Sequence, residues 1–335
     1  MSLLAVTVKD VAQHAGVSVA TVSKFMNGGN LREEYRLRVQ AAVEELNYSI
    51  NEVARNLKTN RSYAIGILSS TICSGYITTT ISAIQRYLLE KGYISLITDY
   101  QGDRVLQKKQ LDMLLRQKVD GIILFPDFNE IETVNEVRSH SIPIILVDNL
   151  IDGLSCDAVI TNSCESAYAI TNQLIRCHHT RIAFCAGPTG LLYTARERLL
   201  GYQQAMNAHG LQPLVFDGYY LVDGGYNAVK SMMALKDRPT AIISSNYDMT
   251  VGVLQALNEL DVRIPEDISV AAFDKLDFDC VLQTPISTIV QPLEEIGVCA
   301  AKRIISRIEQ KETTAPSVDV LPTKILYTQS IKDIG

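Results

Sequence analysis

Seven short runs of almost unbroken apolar residues recur from Ala64 onward: AIGIL (64–68), YISLIT (93–98), GIILF (121–125), IPIILVD (142–148), RIAFCAG (181–187), TAIISSN (240–246) and ISVAAFD (268–274). A strand with one solvated face alternates apolar and polar residues. Runs without alternation are expected to be buried on both faces, as parallel strands covered by helices are. Helical stretches such as ISAIQRYLLEKGY, ESAYAITNQLIRCHH and DMTVGVLQALNELDV separate them, and Gly92 and Gly210 close helices. The pattern is repeated β-α-β winding. Ligands of such sheets bind beyond the carboxyl ends of the strands, which singles out Ser69, Ser70, Asp148, Gly187, Asn246 and Asp274.

The first sixty residues lack strand-like alternation and read as helices, with the boundary near Thr59 to Ser62. A chain of 335 residues is longer than one core usually grows, and 47% hydrophobic against 20% charged residues supports globular structure. Residues 1 to 61 carry eight Lys/Arg and six Asp/Glu, a local +2 within a net charge of -6, which leaves -8 for the remainder. A balance of +2 is too weak to argue for nucleic acid by itself, so such a claim has to rest on motifs.

Thr7-Val8-Lys9-Asp10 opens a helix with Thr7 as N-cap and Asp10 three residues on, a capping box with Asp in place of Glu. The helix runs to about His14. Ala15-Gly16-Val17 makes a tight turn in which Gly16 tolerates a positive φ, and Ser18 N-caps a second helix from Val19 to about Met26. Val11, Ala12, Ala15, Val17 and Val22 fall where the two helices pack. Ser18, Val19, Ala20, Ser23 and Lys24 fall on the opposite face, where an exposed Val19-Ala20 pair suits thymine methyls. A third helix, about Glu33 to Leu46, turns Val39, Ala42, Val43 and Leu46 inward and leaves Arg36 and Arg38 to solvent or phosphate. This is a helix-turn-helix.

The string VTVKDVAQHAGVSVATVSKFMN, followed by RVQAAVEELNYSINEVARNL, closely resembles the DNA-binding head and hinge of the LacI/GalR family of bacterial repressors. The resemblance implies that the second helix enters the major groove, with Val19, Ala20 and Lys24 choosing bases and Ser18, Thr21, Ser23 and Asn27 anchored to phosphates. Thr7 joins the DNA-contacting set. Asn51 to Lys58 resembles the hinge helix that orders on DNA as a dimer pair in the minor groove, with Asn51 and Ala54 in contact and Leu57 as a wedge between base steps. The alternative for Leu57 is packing within a linker helix. Two departures stand out. Lys24 replaces a more usual arginine and lacks its bidentate fork to guanine, and Arg32-Glu33-Glu34-Tyr35 replaces a small hydroxyl cap before the third helix.

From Ala64 to its end the chain resembles the periplasmic-binding-protein-like core of the same family, two α/β lobes with parallel sheets crossed three times. The expected organisation is a helix-turn-helix domain over 1–50, a hinge helix and linker over 51–61, and an effector-binding and dimerisation core over 62–335. Within the core, the N-lobe takes about 62–161 and 291–320 and the C-lobe about 162–290 and 321–335. Arg198 matches the family's ligand-contacting arginine and Thr194 a polar contact one turn earlier. Asp148, Asn246 and Asp274 sit at strand ends in the cleft, and Ser70, Tyr220 and Gln291 complete the candidate set. Two carboxylates with Asn and Arg suit a polyhydroxylated ligand, on which Tyr220 stacks. The same residues also suit other roles: turn caps for Asp148 and Asp274, core for Tyr220, bracing between lobes for Gln291. The loop SSTICSGYI departs from the family's frequent pattern, so the effector does not carry over from a relative. The implied partners are a double-stranded DNA operator, a small-molecule effector and a second copy of the chain, in a repressor of a metabolic, carbohydrate-related operon.

Cys73, Cys156, Cys164, Cys177, Cys185, Cys280 and Cys299 are scattered without a C-x-x-C spacing and read as reduced core thiols. Met1 to Thr7 is only mildly apolar, and no apolar run reaches the ~18 residues of a membrane span, so a cytoplasmic protein without a membrane partner is expected. No G-x-x-x-x-G-K-[ST] string occurs, and Ser18 in GVSVA follows a helix, not the strand a nucleophile elbow needs. His178-His179 stands at a helix end, where polar groups favour the dipole. No catalytic residue, metal or cofactor is expected, and the chain is not read as an enzyme.

Overall fold

Three short helices, α1 (Val8–Ala15), α2 (Val19–Met26) and α3 (Glu33–Glu45), pack Val11, Ala12, Ala15, Val22, Val39 and Ala42 into a small core. They belong to the first of two units, Met1–Ser62 and Tyr63–Gly335, in a computed structural model that describes residues 6–26, 29–48, 61–128, 131–310 and 315–335. Both halves of the capping box form: the Thr7 N–H donates to Asp10 Oδ2 at 2.8 Å, and the Asp10 N–H donates to Thr7 Oγ1 at 3.4 Å. Gly16 takes φ 62° to close α1, and Ser18 Oγ accepts the Thr21 N–H at 3.2 Å to start α2. Arg38 is exposed, as expected, and is also used inside the head. Its Nη2 donates to the Gly16 carbonyl at 3.0 Å, so α3 braces the turn between the two reading helices.

The departure at Arg32 is visible in the geometry, because α3 begins there with no side-chain cap hydrogen bond. Arg32→Ser supplies an acceptor for the first-turn amides. It is expected to stabilise the head by about 1 kcal/mol, read as a raised unfolding midpoint of the head in urea; an unchanged midpoint would mean water serves those amides equally well.

The second unit holds two six-stranded sheets. The first, in spatial order β11-β5-β4-β3-β1-β2, comprises β1 (Ala64–Ser69), β2 (Ile94–Asp99), β3 (Gly121–Leu124), β4 (Ile144–Val147), β5 (Asp157–Thr161) and β11 (Val318–Leu321). The second, in order β12-β10-β9-β8-β6-β7, comprises β6 (Ile182–Ala186), β7 (Leu214–Asp217), β8 (Ala241–Ser244), β9 (Ser269–Phe273), β10 (Ser287–Val290) and β12 (Lys324–Leu326). Neighbouring strands are parallel except β10 and β12. The chain passes between the lobes after β5, after β10 and after β11. The helix Leu293–Gln310 returns to the first sheet, packing Ile296, Ala300 and Ile304 with Ile65 and Ile123.

The two sheets repeat one winding, and the repeat extends to single hydrogen bonds. The Asp148 N–H, after β4, donates to the Val159 carbonyl of β5 at 2.9 Å. The Asp274 N–H, after β9, donates to the Ile289 carbonyl of β10 at 3.0 Å. Both aspartates take a positive φ, 71° and 67°, which turns the chain sharply at equivalent strand ends.

Two sequence expectations are corrected. YISLIT is not buried on both faces: β2 is the edge of its sheet, and Ile94 and Ile97 are 56% and 39% exposed. The cysteines are free, but only Cys156 and Cys185 are buried, while Cys73 and Cys280 are exposed.

Candidate functional site

The carboxyl ends of the strands of both sheets face one cavity of about 600 Å³. Its innermost wall is made by Asp148, Arg198, Tyr76 and Tyr220. Arg198, on the helix Tyr193–Ala208, is 3% exposed; its Nη1 donates to the Ser245 carbonyl at 2.6 Å and its guanidinium lies 4.4 Å from the Phe273 ring centroid. Asp148 Oδ2 accepts from Asn149 Nδ2 at 3.3 Å. Four buried polar atoms on these residues make no hydrogen bond of good geometry: Asp148 Oδ1, Arg198 Nε, Tyr76 Oη, which lies close to Asp148, and Tyr220 Oη, which lies close to Thr194. An unsatisfied buried polar atom costs about 1–3 kcal/mol, so four on one wall mark a place built for something that enters it.

Burial pushes the Asp148 carboxyl above the usual carboxylate range, with Arg198 opposing and Asp274 adding to the rise. Burial likewise raises the Tyr220 and Tyr76 hydroxyls. For Arg198, burial works against the charge, but Tyr220, Asp274, Asp148 and Tyr76 outweigh it and keep the group firmly cationic. Asp127 and Asp248, further out, are raised by burial, Asp248 also by Asp274.

Of the residues singled out in the sequence, Ser70, Asp148, Arg198, Tyr220, Asn246, Asp274 and Gln291 line the cavity. Gln291 Nε2 donates to Asp274 Oδ1 at 2.6 Å while its Oε1 accepts from Thr161 Oγ1 at 3.1 Å, so it also braces two of the crossings. Asn246 Oδ1 accepts the Met249 N–H at 2.9 Å and caps the helix Tyr247–Glu259. The Tyr220 ring lies against Gly187, where a Cβ would collide with it. Thr194 does not reach the cavity and is a correction: its hydroxyl and N–H both donate to Asn149 Oδ1, at 2.8 and 3.0 Å, so it ties the two lobes together behind the wall.

Sequence reasoning missed Tyr76 and Asn149. Asn149 follows a strand-end aspartate and was within reach of the strand-end rule. Tyr76 stands in the first turn of the helix Gly75–Glu90, and no local pattern points it inward. The histidine pair is structural: His178 Nδ1 meets Asp333 at 2.6 Å, and buried His179 meets Thr240 Oγ1 at 2.8 Å and the Lys332 carbonyl at 3.0 Å. Among the described residues no group of three His, Cys, Asp or Glu side chains is placed to hold a metal, and no helix is long and apolar enough to cross a membrane.

In the head, Ser18, Val19, Ala20, Ser23 and Lys24 form one exposed face of α2, with Val19 at 42% exposure. Thr7 is exposed with its hydroxyl 2.7 Å from Asp10 Oδ2, and Thr21 is half-buried with its hydroxyl 2.9 Å from that of Ser18. Asn27, Asn51, Ala54 and Leu57 lie outside the described residues.

A helix-turn-helix head joined in one chain to a two-lobed core with a polar cleft defines a DNA-binding regulator. Residues 7–51 match the model of bacterial regulatory proteins of the lacI family, and residues 171–331 that of a periplasmic binding protein-like domain. The chain belongs to the LacI family of transcriptional regulators. It is 32% identical to the ribose operon repressor of Escherichia coli over 94% of this chain and 97% of that protein. It is 31% identical to the HTH-type transcriptional repressor PurR of Aliivibrio salmonicida, over 91% of this chain and 93% of that one. In fold it is similar to the Lac repressor dimer bound to operator and the anti-inducer ONPF, with a TM-score of 0.86 at 24% identity, covering 98% of this chain and 100% of that structure.

Proposed function

We propose that this regulator is a dimeric repressor whose affinity for a palindromic operator is set by a hydroxyl-rich effector in the interlobe cleft, acting in the cytoplasm by binding and without turnover. One observation carries the effector reading: Asp148 Oδ1, an acceptor, and Arg198 Nε, a donor, neither with a well-formed hydrogen bond, line the same cavity as the hydroxyl-bearing Tyr76 and Tyr220. A hydroxyl both donates and accepts, so one sugar hydroxyl serves carboxylate and guanidinium together. The ribose operon repressor among the relatives supports a carbohydrate-related compound.

The proposed organisation is a reading head over 1–50, a hinge over 51–61 and a core over 62–335. Val19, Ala20 and Lys24 read bases, Thr7, Ser18, Thr21, Ser23 and Asn27 position the backbone, and Asn51, Ala54 and Leu57 act in the minor groove. Ser70, Asp148, Arg198, Tyr220, Asn246, Asp274 and Gln291 face the effector. Ile94 and Ile97 on the edge strand β2, with exposed Leu89 on the preceding helix, supply apolar surface for a second copy.

The test is binding to a palindromic duplex with a central CG step against a scrambled duplex at fixed salt, repeated with a panel of free sugars. A preference of ~10³ or more that one sugar shifts is expected. Sugar binding with no duplex preference would instead make the protein a solute-capturing one.

Acid weakens the effector under this reading. A hydroxyl donating to Asp148 favours the carboxylate and lowers its pKa on binding, so affinity is full above the raised value of the empty cleft and is lost as pH falls through it. Calorimetric titration from about pH 8 to about pH 5 checks this. Asp148→Asn should flatten the slope to the part contributed by Asp127 and Asp248.

A further inference from the structure

We infer that the cleft admits its hydroxyl-rich effector only in the unphosphorylated form and rejects the phosphate ester; the inference rests on the effector reading above. The charge of the lining carries it. Among the described residues, Asp99, Asp127, Asp148, Asp248 and Asp274 line the cavity against one cation, Arg198, which the Ser245 carbonyl and the Phe273 ring already hold, while Lys275 lines only the adjoining hollow. A phosphate dianion needs basic side chains or free amides at a helix start; the lining offers one basic side chain, and its two uncapped helix starts each have a carboxylate at the first turn.

Three of the helix starts around the cleft are occupied by the chain's own oxygens, and the other two, Gly75–Glu90 and Val222–Met233, have no side-chain cap but carry a carboxylate at the first turn. Asp103 Oδ1 accepts the Val105 and Leu106 N–H groups at 2.7 and 3.0 Å. Asn246 Oδ1 takes the Met249 N–H, with Asp248 in the same first turn. Asn149 Oδ1 takes the Thr194 N–H. At Gly75 the carboxylate of Asp277 stands beside the first turn, 3.3 Å from where a Cβ would be. The helix Val222–Met233 carries Asp223 in its first turn. Three of the places where a phosphate would dock therefore hold acceptors, and the two uncapped ones stand beside a carboxylate that repels it. Asp148 Oδ1, without a well-formed hydrogen bond, asks for a donor, and a phosphate dianion brings none.

The experiment titrates the full-length protein with matched pairs: ribose and ribose 5-phosphate, glucose and glucose 6-phosphate, fructose and fructose 1-phosphate. Inorganic phosphate is run alongside, with calorimetry and thermal shift as readouts. The free member of one pair is expected to bind and its ester to bind at least ~100-fold more weakly, as like-charge contact requires. Inorganic phosphate should leave the unfolding midpoint unmoved. The double variant Asp127→Asn, Asp248→Asn should narrow the gap between the members of that pair. An ester that binds as well as or better than its free sugar, or a midpoint raised by phosphate, overturns the inference while leaving the effector reading intact. If no member of any pair binds, the hydroxyl-rich reading itself falls and takes the inference with it.

Discussion

Arg198→Met is expected to abolish the effector response, so that the ratio of operator affinities with and without the effector collapses to one. The side chain is buried, and its substitution by a flexible apolar residue of similar reach fills the space without a new polar group. What is lost is the only cation among the described residues that line this cavity. Its Nε is a donor of the inner wall without a well-formed hydrogen bond, and its charge is what offsets Asp148 and Asp274, which face each other from equivalent strand ends of the two lobes. Truncating one partner of a buried, hydrogen-bonded charge pair at a binding site costs about 2–5 kcal/mol, which is about 30-fold or more in affinity.

Part of that cost has an outlet. Without Arg198 the Asp148 carboxyl rises further and takes up a proton at a pH where the wild type is ionised, so the empty variant remains folded while losing its acceptor. Calorimetry with the effector and operator titrations with and without it read the loss, and thermal unfolding reports the fold. Arg198→Lys keeps a charge but not the planar group lying over Phe273, and an intermediate response is expected from it. An Arg198→Met protein that still binds and responds within about threefold would remove Arg198 from the site, since losing a buried charge that contacts the ligand asks for far more.

The interior strands were legible because burial on both faces writes an unbroken apolar run, as at β1, β3, β4, β6, β8 and β9. Edge strands write something else. In β7 and β11 the half-buried and exposed positions alternate over four residues, too short a span for a period to declare itself, and β2 carries an apolar run although Ile94 and Ile97 face outward. β5 is buried throughout, yet opens on Asp157, which is satisfied by Arg307, one hundred and fifty positions away, at 2.7 and 2.8 Å, and by the Ser317 N–H at 3.0 Å. A partner at that distance cannot be read locally.

The site divides in the same way. Asp148, Asn246 and Asp274 follow from the rule that ligands bind at strand ends. Tyr76, and the use of Thr194 as an interlobe tie, depend on which side chains the second lobe brings opposite the first. In the head, caps and turn are local and were readable; the bond from Arg38 to Gly16 spans two helices and was not.

Lys24→Ala is expected to erase most discrimination between operator and scrambled duplex. The side chain is exposed in the last turn of α2, on the face that carries Val19 and Ala20. A side chain that reads a base edge is worth roughly 1–3 kcal/mol per contact, and a dimer on a palindrome uses each contact twice, so the loss is about 2–6 kcal/mol, between ~30-fold and ~10⁴-fold in specific affinity. A lysine bound only to phosphate gives a different signature: affinity falls evenly for all duplexes and the salt dependence flattens by about one unit per half-site. Titrating Lys24→Ala on both duplexes at two salt concentrations separates these outcomes. Lys24→Arg sharpens the test, because the guanidinium fork grips guanine O6 and N7 together where a lysine makes a single point contact. The arginine variant should gain on half-sites with guanine at the contacted position and lose on the others. Even weakening across all sequences by both variants would move Lys24 from base reading to backbone contact and leave half-site choice to Val19 and Ala20.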